Sequence, residues 1–431
     1  MNQQQLQEFI NKTAQSGSIL GMESIVHLCE ELGNPQNQTK IIHVAGTNGK
    51  GSTSVLLQSV LISLGKKVGR YSSPAVFAYE EMFQIQGKNI GKERLGQLYA
   101  TVKRACDRMV EKGYPHPTIF EVETAAAYTY FAEEECDIAI IEVGMGGRTD
   151  ATNVVSQPVV SVITSISMDH TAFLGDTLEK IAYMKAGIIK KNCPVVALKQ
   201  KQDVEKVLHQ EAEEQNAVLY TADPKGVGVQ AFTADGMKLC MEDGVCIETT
   251  LTGYTQIENI SLSYKVLQVL AENGIIDRNT ERMIQGYKAA VWPGRFETIG
   301  IDPRFIIDGA HNKDAAEKLA ENMKVFFPNK KIHYIMGVLR DKDYSGMLEA
   351  VLANAENVYC LTPDNPRALE ASELALEAEK YTKRVFVCKS AKEAVLRALE
   401  ASDKDDVILA FGSLSYLSQV REAVKRRELS R

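Results

Sequence analysis

The sequence predicts an α/β protein built from two parallel-sheet domains, and three observations carry that prediction. Strand-like and helix-like segments alternate nearly throughout the 431 residues. Some of the strand-like segments, "CDIAIIEVG" above all, are almost continuously apolar, as a strand covered on both faces must be. A Pro-Gly pair in "VWPGRFE", beside the only tryptophan, marks a boundary beyond which the alternation restarts. A chain of this length suits two or three domains of roughly 100–200 residues each. Its 45% hydrophobic residues supply a sizeable core.

Taken in order, "KIIHVAG" reads as a buried strand and "KGSTSVLLQSVLISLG" as a helix ended by Gly65. "KKVGRYSS" is the next strand, and "KERLGQLYATVKRACDRMVEKG" and "EVETAAAYTYFAEEE" are helices. "CDIAIIEVG", "PVVSVITSI" and "CPVVAL" are further strands. From about Tyr220 to Leu251 the pattern shortens and alternates, which predicts an antiparallel hairpin, and two helices then lead to the Pro-Gly boundary. After it come "RFIIDGAHN", "KIHYIMGVL", "NVYCLTP", "RVFVCKS" and "DVILAFGSLSYL", each strand separated from the next by a helix. The expected division is a phosphate-loop nucleotide-binding domain over residues 1–295 and a smaller Rossmann-like domain over 296–431. Ligands are then expected at the carboxyl ends of strands and between the two domains.

The stretch "HVAGTNGKGSTS", His43 to Ser54, carries the clearest chemistry. It follows a strand and opens a helix, the context in which backbone N–H groups and the helix dipole hold an anion. The N–H groups of Gly46, Thr47, Asn48 and Gly49 suit phosphate oxygens, and Lys50 reaches the outer phosphates. Gly51 permits close backbone approach, and the Ser52 hydroxyl, followed by Thr53, suits Mg²⁺. The spelling departs from G-x-x-x-x-G-K-[ST]: Val44 stands at the first glycine position and Gly51 at the last. Glu142, at the end of a buried strand, is a hard oxygen donor of the kind Mg²⁺ takes.

Bulk properties exclude other classes. Forty-nine basic against 56 acidic residues leave a net charge of −7, with no basic stripe for nucleic acid. No apolar run approaches the ~18–20 residues of a membrane span. The opening "MNQQQLQEFI" has no basic start before an apolar core, so a cytoplasmic protein is expected. The eight cysteines (Cys29, Cys106, Cys136, Cys193, Cys240, Cys246, Cys360 and Cys388) form no C-x-x-C and are expected to be reduced thiols.

The loop G-T-N-G-K-G-S, "YSSP", "TIFEVETAAAYTYF", "EVGMGGRTDATN", "SISMDHTAFLGDTLEKIAYMKAGIIK", "WPGRFE", "DGAHN", "GVLRDKD", "PRA" and "FGSLSYL" occur in this order over most of the chain. Together they resemble folylpolyglutamate synthases, including the bifunctional dihydrofolate synthases, in the Mur ligase superfamily. The resemblance implies an ATP-dependent ligase that joins L-glutamate to a folate, and also to dihydropteroate, through an acyl phosphate. It implies ATP and two Mg²⁺ ions, with Ser52 on the first metal and Ser73, Glu142 and His170 on the second. Lys185, in "KAGI", matches a lysine that relatives carry as a carbamate. Gln256 and Asn259 match the pair near the adenine, and Arg295 matches an arginine on the phosphates. Asp308 and His311 match residues near the reacting phosphate and the incoming amino acid, and Ser413 would contact the glutamate carboxylate. A monomer that acts on small molecules is implied.

The chain departs from the family's pattern on the acceptor side. Ala75 stands for a histidine, Glu80-Glu81-Met82 for a stretch ending in Glu-Arg, and Met184 for a glutamate. Thr255 stands for a histidine and Lys313 for a proline. Two other readings therefore stay open. One is a ligase of the superfamily with a non-folate acid; the other is a nucleotide-binding module without activity, against which Lys50, Glu142, His170 and Lys185 all speak.

Overall fold

The computed structural model describes residues 1–15 and 21–428, leaving aside the side chains of residues 354, 427 and 428. The chain folds into two compact units. The first comprises residues 1–228, 239–248 and 258–290, and the second residues 229–238, 249–257 and 291–431.

The first unit is built on an eight-stranded sheet. Its strands are β1 (Lys40–Ala45), β2 (Val68–Tyr71), β3 (Phe83–Ile85), β4 (Lys88–Asn89), β5 (Ile138–Glu142), β6 (Val160–Ile163), β7 (Val195–Leu198) and β8 (Leu219–Ala222). They lie in the order β4-β3-β2-β5-β1-β6-β7-β8. From β2 to β8 all pairings are parallel, and β3 and β4 add an antiparallel edge. β5 and β6 are buried along their whole length. Each isoleucine so covered contributes about 1.5–3 kcal/mol against exposure, which is why these strands can be apolar on both faces. The helix Ile119–Glu133 starts at Thr118, whose hydroxyl accepts from the Glu121 N–H while the Glu121 carboxylate accepts from the Thr118 N–H, a reciprocal cap.

A three-stranded sheet follows, β9 (Gly228–Thr233), β10 (Gly236–Cys240) and β11 (Cys246–Thr249), in the order β11-β10-β9. Two expectations are corrected here. The short-strand region does not begin at Tyr220, because Leu219–Ala222 joins the large sheet as its parallel edge beside β7. The cysteines are not all reduced: the turn between β10 and β11 brings the Cys240 and Cys246 Cα atoms to 4.1 Å, and the two form a disulfide. The other six are free and buried.

The second unit carries a six-stranded sheet. Its strands are β12 (Glu297–Gly300), β13 (Arg304–Ile307), β14 (Ile332–Met336), β15 (Ala355–Leu361), β16 (Val385–Cys388) and β17 (Val407–Phe411), in the order β12-β13-β17-β14-β15-β16. β12 is antiparallel and the rest are parallel. The fold is thus α/β, with a large mostly parallel sheet and a second, mixed one. Among the described residues no helix is long and apolar enough to cross a membrane.

Candidate active site

β1 lies between β5 and β6, so the loop that leaves its carboxyl end has strand ends on both sides. The loop is fastened to the segment after β6: the Thr47 N–H donates to the Ser165 carbonyl at 2.7 Å, and the Thr47 hydroxyl donates to the Ser167 carbonyl at 3.1 Å. The Ser165 hydroxyl in turn donates to the Asn48 carbonyl at 3.1 Å. Gly49 caps the helix Lys50–Ser63 in the left-handed region, at φ 92°. A Cβ on Gly49 would sit 2.3 Å from the Asn259 Oδ1, and one on Gly46 would sit 1.8 Å from the Thr164 Oγ1. Backbone this tightly held is ready to present its remaining N–H groups without reorganising, but the Thr47 N–H, expected to face phosphate, is instead given to the Ser165 carbonyl. Gly51 lies in the first turn; Ser52 and Thr53 beside it are buried. The Thr53 hydroxyl donates to the Asn259 Oδ1 at 3.5 Å. Asn259 and Gln256, both buried, lie on one helix, Tyr254–Glu272.

Two ammonium groups meet on one loop oxygen. The Lys50 Nζ donates to the Gly46 carbonyl at 3.1 Å and to the Thr47 carbonyl at 3.2 Å. The Lys185 Nζ, on the helix Leu178–Ala186 and only 4% exposed, donates to the same Gly46 carbonyl at 2.8 Å. Positive charge is therefore concentrated at the loop's mouth, where an anion would offset it.

Around this point the neighbouring strand ends bring further candidates. Glu142 closes β5, in register with Val44, and is buried. Ser73 follows β2, whose Tyr71 is in register with Ile141 of β5. His170 stands at φ 50° at the start of the short helix Thr171–Leu174, its N–H held by the Asp169 Oδ1 at 2.8 Å. Among the described residues there is no group of three or more His, Cys, Asp and Glu side chains that could hold a metal by themselves. Serine hydroxyls with one carboxylate and one imidazole form a sparse donor set. That suits Mg²⁺, which keeps several waters and takes phosphate oxygens, better than a metal that demands a full protein cage.

Arg70 was not singled out from the sequence, and the structure buries it beside this group. Its Nε donates to Gln58 at 3.0 Å, its Nη1 to Ser72 at 2.8 Å and its Nη2 to Gln84 at 2.7 Å. Burial lowers its pKa to about 10, while Glu142 and Glu81 favour the charged form. The signal was visible as an arginine inside "KVGRY", a strand whose four residues are all buried.

Next to these strand ends lies a cavity of about 600 Å³, lined in part by Ser73, Ala75, Met82, Phe120, Gly144 and Met184. That volume falls within the range of small-molecule sites, roughly 300–1,000 Å³. The departures at Ala75 and Met82 thus face a cavity. Glu81 is not among its lining residues, and its Oε1 accepts from the Val76 and Phe77 N–H groups. Glu123, which sequence reasoning missed, also lines the cavity, and burial pushes its carboxyl up to about 7 even though a hydrogen bond from Tyr79 opposes the shift. It was legible only as a second acidic residue in the otherwise apolar helix "IFEVETAAAYTYF".

This shift has a measurable consequence. With its folded pKa above the free carboxyl value of 4.5, the stability associated with the neutral form is fully present below about 4.5 and is lost as pH rises through about 7. The loss amounts to about 3 kcal/mol at most. In urea unfolding of the ligand-free protein, Glu123→Gln should match the wild type near pH 4.5 and gain on it up to pH 8. Parallel curves over the whole range would contradict the assignment.

In the second unit, Asp308 follows β13 and Ser413 follows β17, the strand paired with β13. The two segments are joined by hydrogen bonds from the Asp308 N–H to the Ala410 carbonyl and from the Gly412 N–H to the Ala310 carbonyl, each 2.9 Å. The Asp308 carboxylate accepts from the Phe296 and Ala310 N–H groups, both at 2.8 Å. Burial raises its pKa and the Arg295 charge lowers it. The Arg295 guanidinium lies across Gly309, where a Cβ would be 1.4 Å from its Nη1. The His311 Nδ1 donates to the Gly309 carbonyl at 2.9 Å, and the Ser413 and Ser415 hydroxyls are 2.9 Å apart. Arg295, Asp308, His311 and Ser413 therefore gather at the carboxyl ends of two adjacent strands.

The chain matches the Mur ligase middle domain over residues 44–267 and the Mur ligase glutamate ligase domain over residues 294–414. It is 34% identical over 416 residues to the dihydrofolate synthase/folylpolyglutamate synthase of Bacillus subtilis, covering 94% of this chain and 95% of the relative. It is 35% identical over 412 residues to the folylpolyglutamate synthase of Lacticaseibacillus casei, covering 93% of each. Among solved structures, it is similar to Escherichia coli FolC in complex with DHPP and ADP (TM-score 0.87, 28% identity, 98% of each chain). It is also similar to the Mycobacterium tuberculosis folylpolyglutamate synthase complexed with ADP and AMPPCP (TM-score 0.86, 29% identity, 99% of this chain and 98% of that one).

Proposed function

The chain belongs to the folylpolyglutamate synthase/dihydrofolate synthase family of Mur ligases, and from that membership we infer how the residues of its site divide the work. It is an ATP-dependent ligase that adds L-glutamate to folates. The single observation that supports the reading most is the meeting of Lys50 and Lys185 on the Gly46 carbonyl, at the mouth of a loop that aims backbone N–H groups at an anion.

ATP phosphates take the N–H groups of Gly46 and of Asn48 to Gly51, the Thr47 N–H being held by the Ser165 carbonyl, and Lys50 leaves the loop carbonyls for the phosphate that is transferred. Asn259 and Gln256 hold the base, and Arg295 holds phosphate. The folate carboxylate attacks the terminal phosphorus, the bond to the ADP oxygen breaks, and an acyl phosphate results. The glutamate amine then attacks the acyl carbon, loses a proton and expels phosphate. Ser413 holds the glutamate carboxylate, and His311 and Asp308 orient the amine and the reacting phosphate. Ser52 would hold one Mg²⁺, and Ser73, Glu142 and His170 a second; when bound, the ions offset phosphate charge. A carbamate on Lys185 would turn one of two crowded cations into an anion and so relieve their repulsion; labelled CO₂ carried into a peptide containing Lys185 is its test. The folate's ring system occupies the cavity beside Ser73 and Ala75.

Dihydropteroate is proposed as a second acceptor, because the cavity takes the ring system both acids share. Phosphate release with ATP, Mg²⁺ and L-glutamate should appear with a reduced folate monoglutamate and with dihydropteroate. Turnover with the folate alone would restrict the enzyme to polyglutamylation. Silence with both, while ADP still binds, would reject a folate as the acid.

A further inference from the structure

Three acidic residues line the cavity of about 600 Å³, Glu121, Glu123 and Asp150, and no lysine, arginine or histidine is among its described lining residues. A cavity of that character does not take the anionic end of a substrate. It suits a flat, uncharged ring with N–H donors at its edge.

Two of the three carboxyls are already engaged with the protein. The Glu121 Oε2 accepts from the Thr118 N–H and hydroxyl, both at 2.8 Å. The Asp150 Oδ2 accepts from the Met145 N–H at 2.9 Å, and its Oδ1 accepts from the Thr152 N–H at 3.0 Å and hydroxyl at 2.6 Å. Glu123 differs. Its Oε1 accepts from the Tyr79 hydroxyl at 2.8 Å, and among the described residues no other donor reaches the carboxyl. Tyr79, donating its hydroxyl hydrogen to Glu123, accepts from the Tyr99 hydroxyl 2.5 Å away, so a half-buried phenol backed by a fully buried one holds the carboxyl in place.

We propose that Glu123 is the specificity-determining residue of this cavity: its Oε2 accepts an N–H from the heterocyclic head of the acid substrate, while Tyr79, backed by Tyr99, fixes the carboxyl's orientation. The inference rests on the folate reading above. It accounts for the missing positive charge at Ala75 and Met82, since the cavity reads ring donors and not carboxylates. A ligand of the same shape without the donor leaves the buried carboxyl unmatched, which is how sites reject such analogues strongly.

The test uses the full chain as wild type, Glu123→Leu and Tyr79→Phe. KM for a reduced folate monoglutamate and KM for ATP are measured, together with kcat/KM for a folate analogue whose ring amino group is replaced by methyl. The wild type should prefer the amino compound by about 10- to 100-fold, the range of a hydrogen bond to a charged group. Glu123→Leu should shrink that preference to a few-fold and raise folate KM by about tenfold or more, with ATP KM within about twofold. Tyr79→Phe should raise folate KM by a few-fold. An unchanged folate KM or an unchanged preference in Glu123→Leu, while the wild type uses folate normally, overturns the inference alone. A wild type that turns over another acid but no folate overturns the folate reading with it. If Glu123→Leu does not bind ADP, Tyr79→Phe decides: unchanged folate KM overturns the proposal.

Discussion

Replacing Lys50 with methionine is expected to lower kcat/KM for ATP by about 100- to 1,000-fold, the loss seen when one charge-stabilising donor is removed from a transition state. The ammonium is partly buried and, among the described residues, bonds to the carbonyls of Gly46 and Thr47. Methionine keeps most of the aliphatic stem, so the cost to folding should stay within about 1 kcal/mol. The electrostatic loss appears where charge develops, on the transferring phosphoryl group. Affinity for a non-hydrolysable ATP analogue should therefore fall more than affinity for ADP, which lacks the terminal phosphate. Equal losses for the two nucleotides, with kcat intact, would place Lys50 away from the transferred group. The position of Lys185 sharpens the expectation. With Lys50 gone, the Gly46 carbonyl still has one ammonium at 2.8 Å, so the loop keeps an anchor and the variant reports on chemistry more than on loop order.

How much of this was legible in the sequence depends on how local each feature is. β1, β5 and β6 announce themselves because an apolar run buried on both faces needs no partner to be recognised. The loop from Gly46 to Ser52 was readable for the same reason, since a strand, glycines, lysine and serine lie together in the chain. β3, β4 and β12 were missed. They are two to four residues long, largely half-buried or exposed, and form antiparallel edges defined by their partners. Leu219–Ala222 was assigned to the hairpin because an edge strand with its first three residues outside the core lacks an apolar run. In the site, Glu142 was singled out from its place at a strand end and His170 and Lys185 through motif resemblance, whereas Arg70 and Glu123 were not singled out. Their significance comes from what surrounds them: an arginine held by Ser72 beside it and by Gln58 and Gln84 on other segments, and a carboxyl lifted by a cavity that the chain closes from distant pieces. The cysteine pair Cys240–Cys246 shows the same limit, because only the turn between β10 and β11 brings the two within bonding reach.

Gly46→Ala should be the most damaging single methyl group in the first unit. The backbone there has φ 149°, outside the range an alanine adopts comfortably, which costs about 1–2 kcal/mol. The new Cβ would also lie 1.8 Å from the Thr164 Oγ1, 2.9 Å from its Cβ and 3.1 Å from its N, so no rotamer of Thr164 removes the whole clash. Overpacking of this kind costs about 1–3 kcal/mol more. The Gly46 carbonyl is also the atom that both ammonium groups share, and a twisted peptide there misplaces Lys50 and Lys185 together. The expected result is loss of detectable ADP binding and a fall in unfolding free energy of about 2–5 kcal/mol. Thr164→Gly is the informative second change. It removes the two side-chain clashes and leaves the 3.1 Å contact with the backbone N, so the double variant should recover part of the stability. Nucleotide binding should recover less, because the backbone strain at φ 149° remains. Strict additivity of the two substitutions in a double-mutant cycle would mean that Thr164 is not what Gly46 accommodates, and the loop's geometry would need another cause.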